Sequence, residues 1–160
     1  MKILGIAMLL LLNIPFTTFG NEKNLADNLV GTYVQKHDVV NFSYKNKDGC
    51  EADGGKFEEG ENLCLFRHTE DNFEIKKIEV NTYSLSISKI GTNFHLCEFE
   101  ATATKVNENT LISKSRDSSC VVQVNLTGSN AISVITNGNC QEACGAGMSL
   151  DTVKAIKINN

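Results

Sequence analysis

The stretch "TYSLSISKI", Thr82 to Ile90, sets Tyr83, Leu85 and Ile87 on one side of an extended chain and Ser84, Ser86 and Ser88 on the other. A period of two belongs to a β-strand with one face buried and the other in water. The alternation recurs downstream. "HLCEFEATAT" aligns Cys97, Phe99, Ala101 and Ala103 against Glu98, Glu100, Thr102 and Thr104, and "CVVQVNL" puts Cys120 in phase with Val122, Val124 and Leu126. Turn chemistry separates these runs at Asn107–Asn109, Arg116–Ser119, Thr127–Asn130 and Asn137–Asn139, a regular spacing that marks consecutive hairpins.

Upstream, strands are expected at Leu29–Val34, Val39–Lys45, Asn62–Arg67 and Asn72–Ile78, and "TVKAIKI", Thr152–Ile158, supplies the last one. Only Glu22–Leu29 and Gln141–Ala146 can hold a turn or two of helix, and no run sustains a 3.6-residue period. The expectation is a mainly β fold with little helix. Its sheet is mainly antiparallel and closes into a single small β-barrel, with a sandwich as the alternative.

The opening "MKILGIAMLLLLNIPFTTFG" carries one lysine, an apolar stretch from Ile3 to Phe16 and small residues at Thr18 and Gly20. This is the pattern of a cleaved export signal, residues 1–20, with the mature chain beginning near Asn21. The apolar run is broken by Asn13 and Pro15 and is too short to span a bilayer, so no membrane span is expected after cleavage. A lipoprotein signal needs a cysteine directly after the apolar segment, whereas the first cysteine is Cys50. The expected location is therefore periplasmic or secreted, without a lipid anchor. Residues 21–160 suffice for one domain with a substantial core.

In an oxidising compartment, six cysteines read as three disulfides. Cys50 and Cys64 enclose "EADGGKFEEGENL" and are expected to pair. Phase gathers Cys97, Cys120, Cys140 and Cys144 at one end of the sheet. Geometry there permits Cys97–Cys120 with Cys140–Cys144, or Cys120–Cys140 with Cys97–Cys144. The second arrangement is favoured because it ties the "ACGAG" turn, Ala143–Gly147, to the sheet. A zinc site built on Cys140 and Cys144 would need two further ligands from Cys97, Cys120 or His95, and the spacing matches no finger pattern. A redox pair normally separates its cysteines by two residues, and here three intervene.

Without its signal the chain has 14 basic side chains against 19 acidic ones. That balance repels nucleic acid and suits a basic partner or plain solubility. No Trp and three Tyr leave little aromatic surface for stacking bases or sugars. The histidines, His37, His68 and His95, stand in no metal-hydrolase spacing, and "GMSLD" lacks the glycine frame of a hydrolase elbow. No cofactor, metal or catalytic residue is expected. The densest charge cluster is Glu51, Asp53, Glu58, Glu59 and Glu61, whose spacing matches no calcium loop. It reads as a solvated loop or as a surface for a basic protein. Asn41 and Asn125 stand in glycosylation sequons that only a glycosylating host would use.

In size, charge and compartment the chain resembles periplasmic lysozyme inhibitors, without their sequence motifs. "GTY", Gly31–Tyr33, resembles part of the opening strand of lipocalins, without the Trp expected there. The first resemblance implies a non-enzymatic exported binding protein, such as an inhibitor of a basic hydrolase. The second implies a lipocalin-like carrier of a small apolar ligand. The two part at the barrel interior: if Tyr83, Leu85, Phe99 and Val122 fill it, a ligand has no room.

Overall fold

The computed structural model describes residues 28–114, 119–145 and 147–158. The expected signal, the helix over residues 22–27, most of the Arg116–Ser119 turn and Ala146 lie outside them. Nine strands run in chain order: β1 Gly31–Asn41, β2 Lys56–Glu58, β3 Leu63–Glu79, β4 Thr82–Ile90, β5 Leu96–Asn107, β6 Thr110–Lys114, β7 Val121–Leu126, β8 Ala131–Asn137 and β9 Thr152–Ile158. Two short helices, α1 Lys47–Ala52 and α2 Gln141–Cys144, and a 3-10 turn at Thr92–Phe94 complete the described elements.

Neighbouring strands pair antiparallel from β3 through β9, and β9 then pairs with β1. The pairing of β1 with β3 closes an eight-stranded barrel, and β2 adds a ninth strand on β3. The alternation seen in the sequence explains the closure. Tyr83, Leu85 and Ile87 of β4 point inward and face Ala103, Ala101 and Phe99 of β5. Tyr83 and Leu85 thus stand opposite small alanines, an alternation of large and small that helps a narrow barrel fill. Phe73, Ile75, Leu111, Val122, Val124, Ile132 and Val134 complete the buried core. The side chains that β4 and β5 turn outward are Ser84, Ser86, Ser88, Glu98, Glu100, Thr102 and Thr104, so these strands face water. No described helix is long and apolar enough to cross a membrane.

Two expected breaks are absent. The segments Leu29–Val34 and Val39–Lys45 merge into β1, which stops at Asn41, and Asn62–Arg67 and Asn72–Ile78 merge into the 17-residue β3. The register steps from His37↔Thr69 to Val39↔Phe66, so β3 carries one extra residue there. His68 takes φ +61°, and Asp38 Oδ1 accepts its N–H at 3.3 Å. A bulge of this kind moves every later side chain to the other face. Cys64 and Asp71 are therefore both buried although an odd number of positions separates them.

The disulfides are Cys50–Cys64, Cys97–Cys144 and Cys120–Cys140, the arrangement favoured above for tying the "ACGAG" turn to the sheet. Gly145 and Gly147, at φ +68° and +86°, have open space where a Cβ would stand, so they serve the turn and not a close approach.

Candidate functional site

The two ends of the barrel differ. At one end, β3–β4, β5–β6 and β7–β8 join through residues 80–81, 108–109 and 127–130. The other end carries the long 42–62 connection, the 91–95 turn, residues 119–120 and, after β8, residues 138–145 and 147–151. All three disulfides lie at this second end, because Cys64 pairs across from Asn41, Cys97 begins β5, and Cys120 precedes β7. Functional groups concentrate on loops held by a rigid scaffold, and this end has the loops and the staples.

The 42–62 connection opens with Asn46, whose Oδ1 accepts the Gly49 N–H at 2.9 Å and starts α1. Cys50, on the buried side of α1, ties the helix to β3 through Cys64. Gly55 then passes so close to Cys64 Sγ that a Cβ would collide with it, and the Phe66 ring would be in tight contact with the same Cβ. Of the five acids, three have local partners. Glu51 lies 3.7 Å from Lys47 Nζ, Glu58 lies 2.6 Å from Lys56 Nζ, and Asp53 accepts the Tyr44 hydroxyl at 2.6 Å. That hydrogen bond from Tyr44 to Asp53, aided by the carboxylate's charge, raises the phenol above its usual range. Glu59 and Glu61 are exposed, with no partner among the described residues. The structure thus brings all five onto one stapled connection while leaving only two unengaged.

Four aromatic residues gather beside this loop. Phe66 on β3 lies between Tyr44, with ring centroids 5.7 Å apart, and Phe94, at 4.6 Å in an edge-to-face pair. Phe42 joins them through its N–H, which Asn93 Oδ1 accepts at 2.7 Å. Phe42 and Phe94 remain 52% and 39% exposed. No periodic signal connects these residues in the sequence, because the 92–94 turn and the start of β3 meet only once the barrel closes.

Inside the mouth at the same end, polar side chains replace the apolar filling. Asp71, 2% exposed, accepts the Ile90 N–H through Oδ1 at 2.9 Å. Its Oδ2 faces His37 Nδ1 at 3.6 Å and Lys89 Nζ at 3.8 Å. His37 Nε2 stands 2.8 Å from the Ile90 carbonyl, which can only accept, so this nitrogen carries the proton. Lys89 donates to the Asp151 carbonyl at 2.6 Å and to Thr152 Oγ1 at 3.2 Å. Burial lowers the Lys89 pKa, and the charges of Asp71 and Asp151 offset part of that effect. Burial pushes the Asp151 carboxyl up, but hydrogen bonds from Thr136 and Ser149 and the charge of Lys89 outweigh it and hold the group below its usual range. Gln35 and His37 line this recess of about 270 Å3, and Gln35 Oε1 and His37 Nδ1 are buried without a hydrogen-bond partner.

A depression of about 880 Å3 lies on the outer face of β3–β5. Its charges mix and pair locally, as Lys76 does with Glu74 at 2.7 Å, so nothing converges on a ligand there. Among the described residues, no three His, Cys, Asp or Glu side chains come together as a metal site. His68 and His95 stay exposed, the first in the β3 bulge and the second closing the 92–94 turn. Compared with protein-family models, with curated proteins and with solved structures, the chain matches none. A barrel by itself carries no role over from other proteins.

Proposed function

We propose that the protein is a non-enzymatic binding protein, exported to the periplasm or the exterior without a lipid anchor, that engages a basic protein through the loop end of its barrel. A basic hydrolase such as lysozyme, held by steric occlusion, is the kind of partner this surface suits. One contrast carries the reading: the interior is filled by Tyr83, Leu85, Phe99 and Val122, all at most 5% exposed, while Glu59 and Glu61 stand unengaged on a stapled loop. The segment 47–64 holds six acids against two lysines, a field that steers a basic surface into contact. The Cys50–Cys64 bridge lowers the cost of ordering that loop on binding. Three disulfides accord with an oxidising, extracellular compartment.

The test is titration of the disulfide-bonded protein into lysozyme acting on cell-wall substrate, beside titration with an apolar fluorescent probe. Saturable inhibition with no probe binding supports the reading. Stoichiometric uptake of the probe without inhibition would favour the lipocalin-like carrier and remove it.

A further inference from the structure

We propose that Phe42 and Phe94 form the apolar centre of an arginine-accepting patch, with Asp53, tied to the patch through Tyr44, as its carboxylate, so that the partner presents an arginine to this corner of the barrel. The inference rests on the binding role proposed above and names the group that is bound.

The 92–94 turn carries it. Asn93 and Phe94 adopt φ +56° and +57° in succession. For a bulky aromatic residue the left-handed region costs about 1–2 kcal/mol, and it persists only where surrounding contacts enforce it. Those contacts are present. Asn93 Oδ1 holds the Phe42 N–H, the Gly91 N–H donates to the His95 carbonyl at 2.8 Å, and Phe94 meets Phe66 edge to face. Core burial does not account for the strain, because Phe94 remains 39% exposed and Phe42 52%. The turn fixes a rigid aromatic surface in solvent.

Charge selects what that surface takes. Tyr44 links the patch to the acidic loop, with its ring on Phe66 and its hydroxyl on Asp53. Phe66 in turn packs under Gly55 of the same loop. An aromatic centre with a carboxylate tied to its edge suits a guanidinium, which stacks on rings through its plane while its N–H groups reach the acid. A lysine ammonium meets the acid but stacks less well. Exposed aromatic anchors within a polar rim are also how binding energy concentrates at protein interfaces.

The experiment follows backbone amide shifts in the 15N-labelled, disulfide-bonded protein during titration with acetyl-Arg-Gly-Arg-Gly-Arg-amide, with the lysine counterpart and with a neutral chitooligosaccharide. The expected result is saturating shifts around Phe42, Asn93 and Phe94 for the arginine peptide, with the lysine peptide at least about threefold weaker. Phe94→Ala should weaken the arginine peptide by a similar factor and bring it level with the lysine one. Equal binding of both peptides, shifts confined to another face, no shifts at all, or shifts at Phe94 caused by the oligosaccharide would each overturn the patch. Lysozyme separates the two proposals. Inhibition that Phe94→Ala leaves intact removes the patch and keeps the binding role. Arginine-selective shifts without lysozyme inhibition keep the patch and remove that partner.

Discussion

Oδ1 of Asp71 accepts the Ile90 N–H at 2.9 Å, from inside the barrel and beyond the last β3–β4 backbone pair, Asn72↔Ser88. A side chain thus continues a ladder that the backbone has left. The same carboxylate is the acid nearest Lys89, whose side chain is only 13% exposed. Asp71→Ala would orphan the Ile90 N–H and take from a largely buried ammonium its nearest countercharge. The expected cost is about 3 kcal/mol in urea denaturation at neutral pH. Asp71→Asn keeps an acceptor for Ile90 and should cost less. A loss below about 1 kcal/mol for Asp71→Ala would show that the mouth cluster does not hold β3 to β4.

The bridges should rank by the chain they close. Cys50–Cys64 spans a separation of 14 residues and Cys97–Cys144 one of 47. Loop-closure entropy assigns about 3 kcal/mol to the first and about 4 kcal/mol to the second, so the paired Cys→Ser variants should fall in that order on denaturation. Intact mass of the exported protein should lie six hydrogens below that of its reduced form, and two or more free thiols in the native protein would contradict the bonding.

Much of this architecture is legible in the chain. Strands β4, β5 and β7 follow directly from period two, and the same phase points Cys97 and Cys120 inward, where they are bonded. The two long strands are harder to see. "HTED", His68–Asp71, reads as a polar break, while the structure passes through it with a bulge that reverses the phase. The helix α1 hides in a glycine-rich acidic loop, with only the Asn46 cap to announce it. The mouth is lost for a related reason. Lys89 is in phase with Tyr83, Leu85 and Ile87, and Asp71 with Phe73 and Ile75, but a charged residue at an inward position looks like the end of a strand. Pairing between the neighbouring strands β3 and β4 is what makes its burial tolerable, and pairing is invisible before the register is known.

Two groups set the response to pH. Tyr33 donates its hydroxyl to the Asn28 and Leu29 carbonyls, both at 3.0 Å, and burial raises its pKa to about 12. The folded state therefore keeps a proton that the unfolded chain loses near 10, so stability should fall as pH rises above 10. Absorbance titration of the phenols should show at least one that ionises only near 12. Asp151 behaves in the opposite sense. Its folded pKa lies below the usual 3.8, so its contribution is present above 3.8 and is lost as pH falls through the lower folded value. The stability gap between wild type and Asp151→Asn should narrow over that acid range. A constant gap would mean that Thr136 and Ser149 do not favour the carboxylate.

Changing Glu58, Glu59 and Glu61 to Gln tests the acidic loop as a steering surface. Glu58 already pairs with Lys56 at 2.6 Å, whereas Glu59 and Glu61 have no described partner. Most of the effect should therefore come from the latter two. Exposed charges act on a partner before contact, so the variant should associate with lysozyme more slowly at low salt and show a flatter salt dependence. Dissociation should change little, because rim charges mainly affect the on-rate. Folding stability should move by less than about 1 kcal/mol, the value of one surface ion pair. Glu58→Gln alone provides the internal control: it breaks the Lys56 pair while leaving the two unengaged acids. Stopped-flow association at two ionic strengths decides the matter. Rates that are unchanged across the Gln series at low salt would remove residues 58–61 from the binding surface, whatever the stability measurements show.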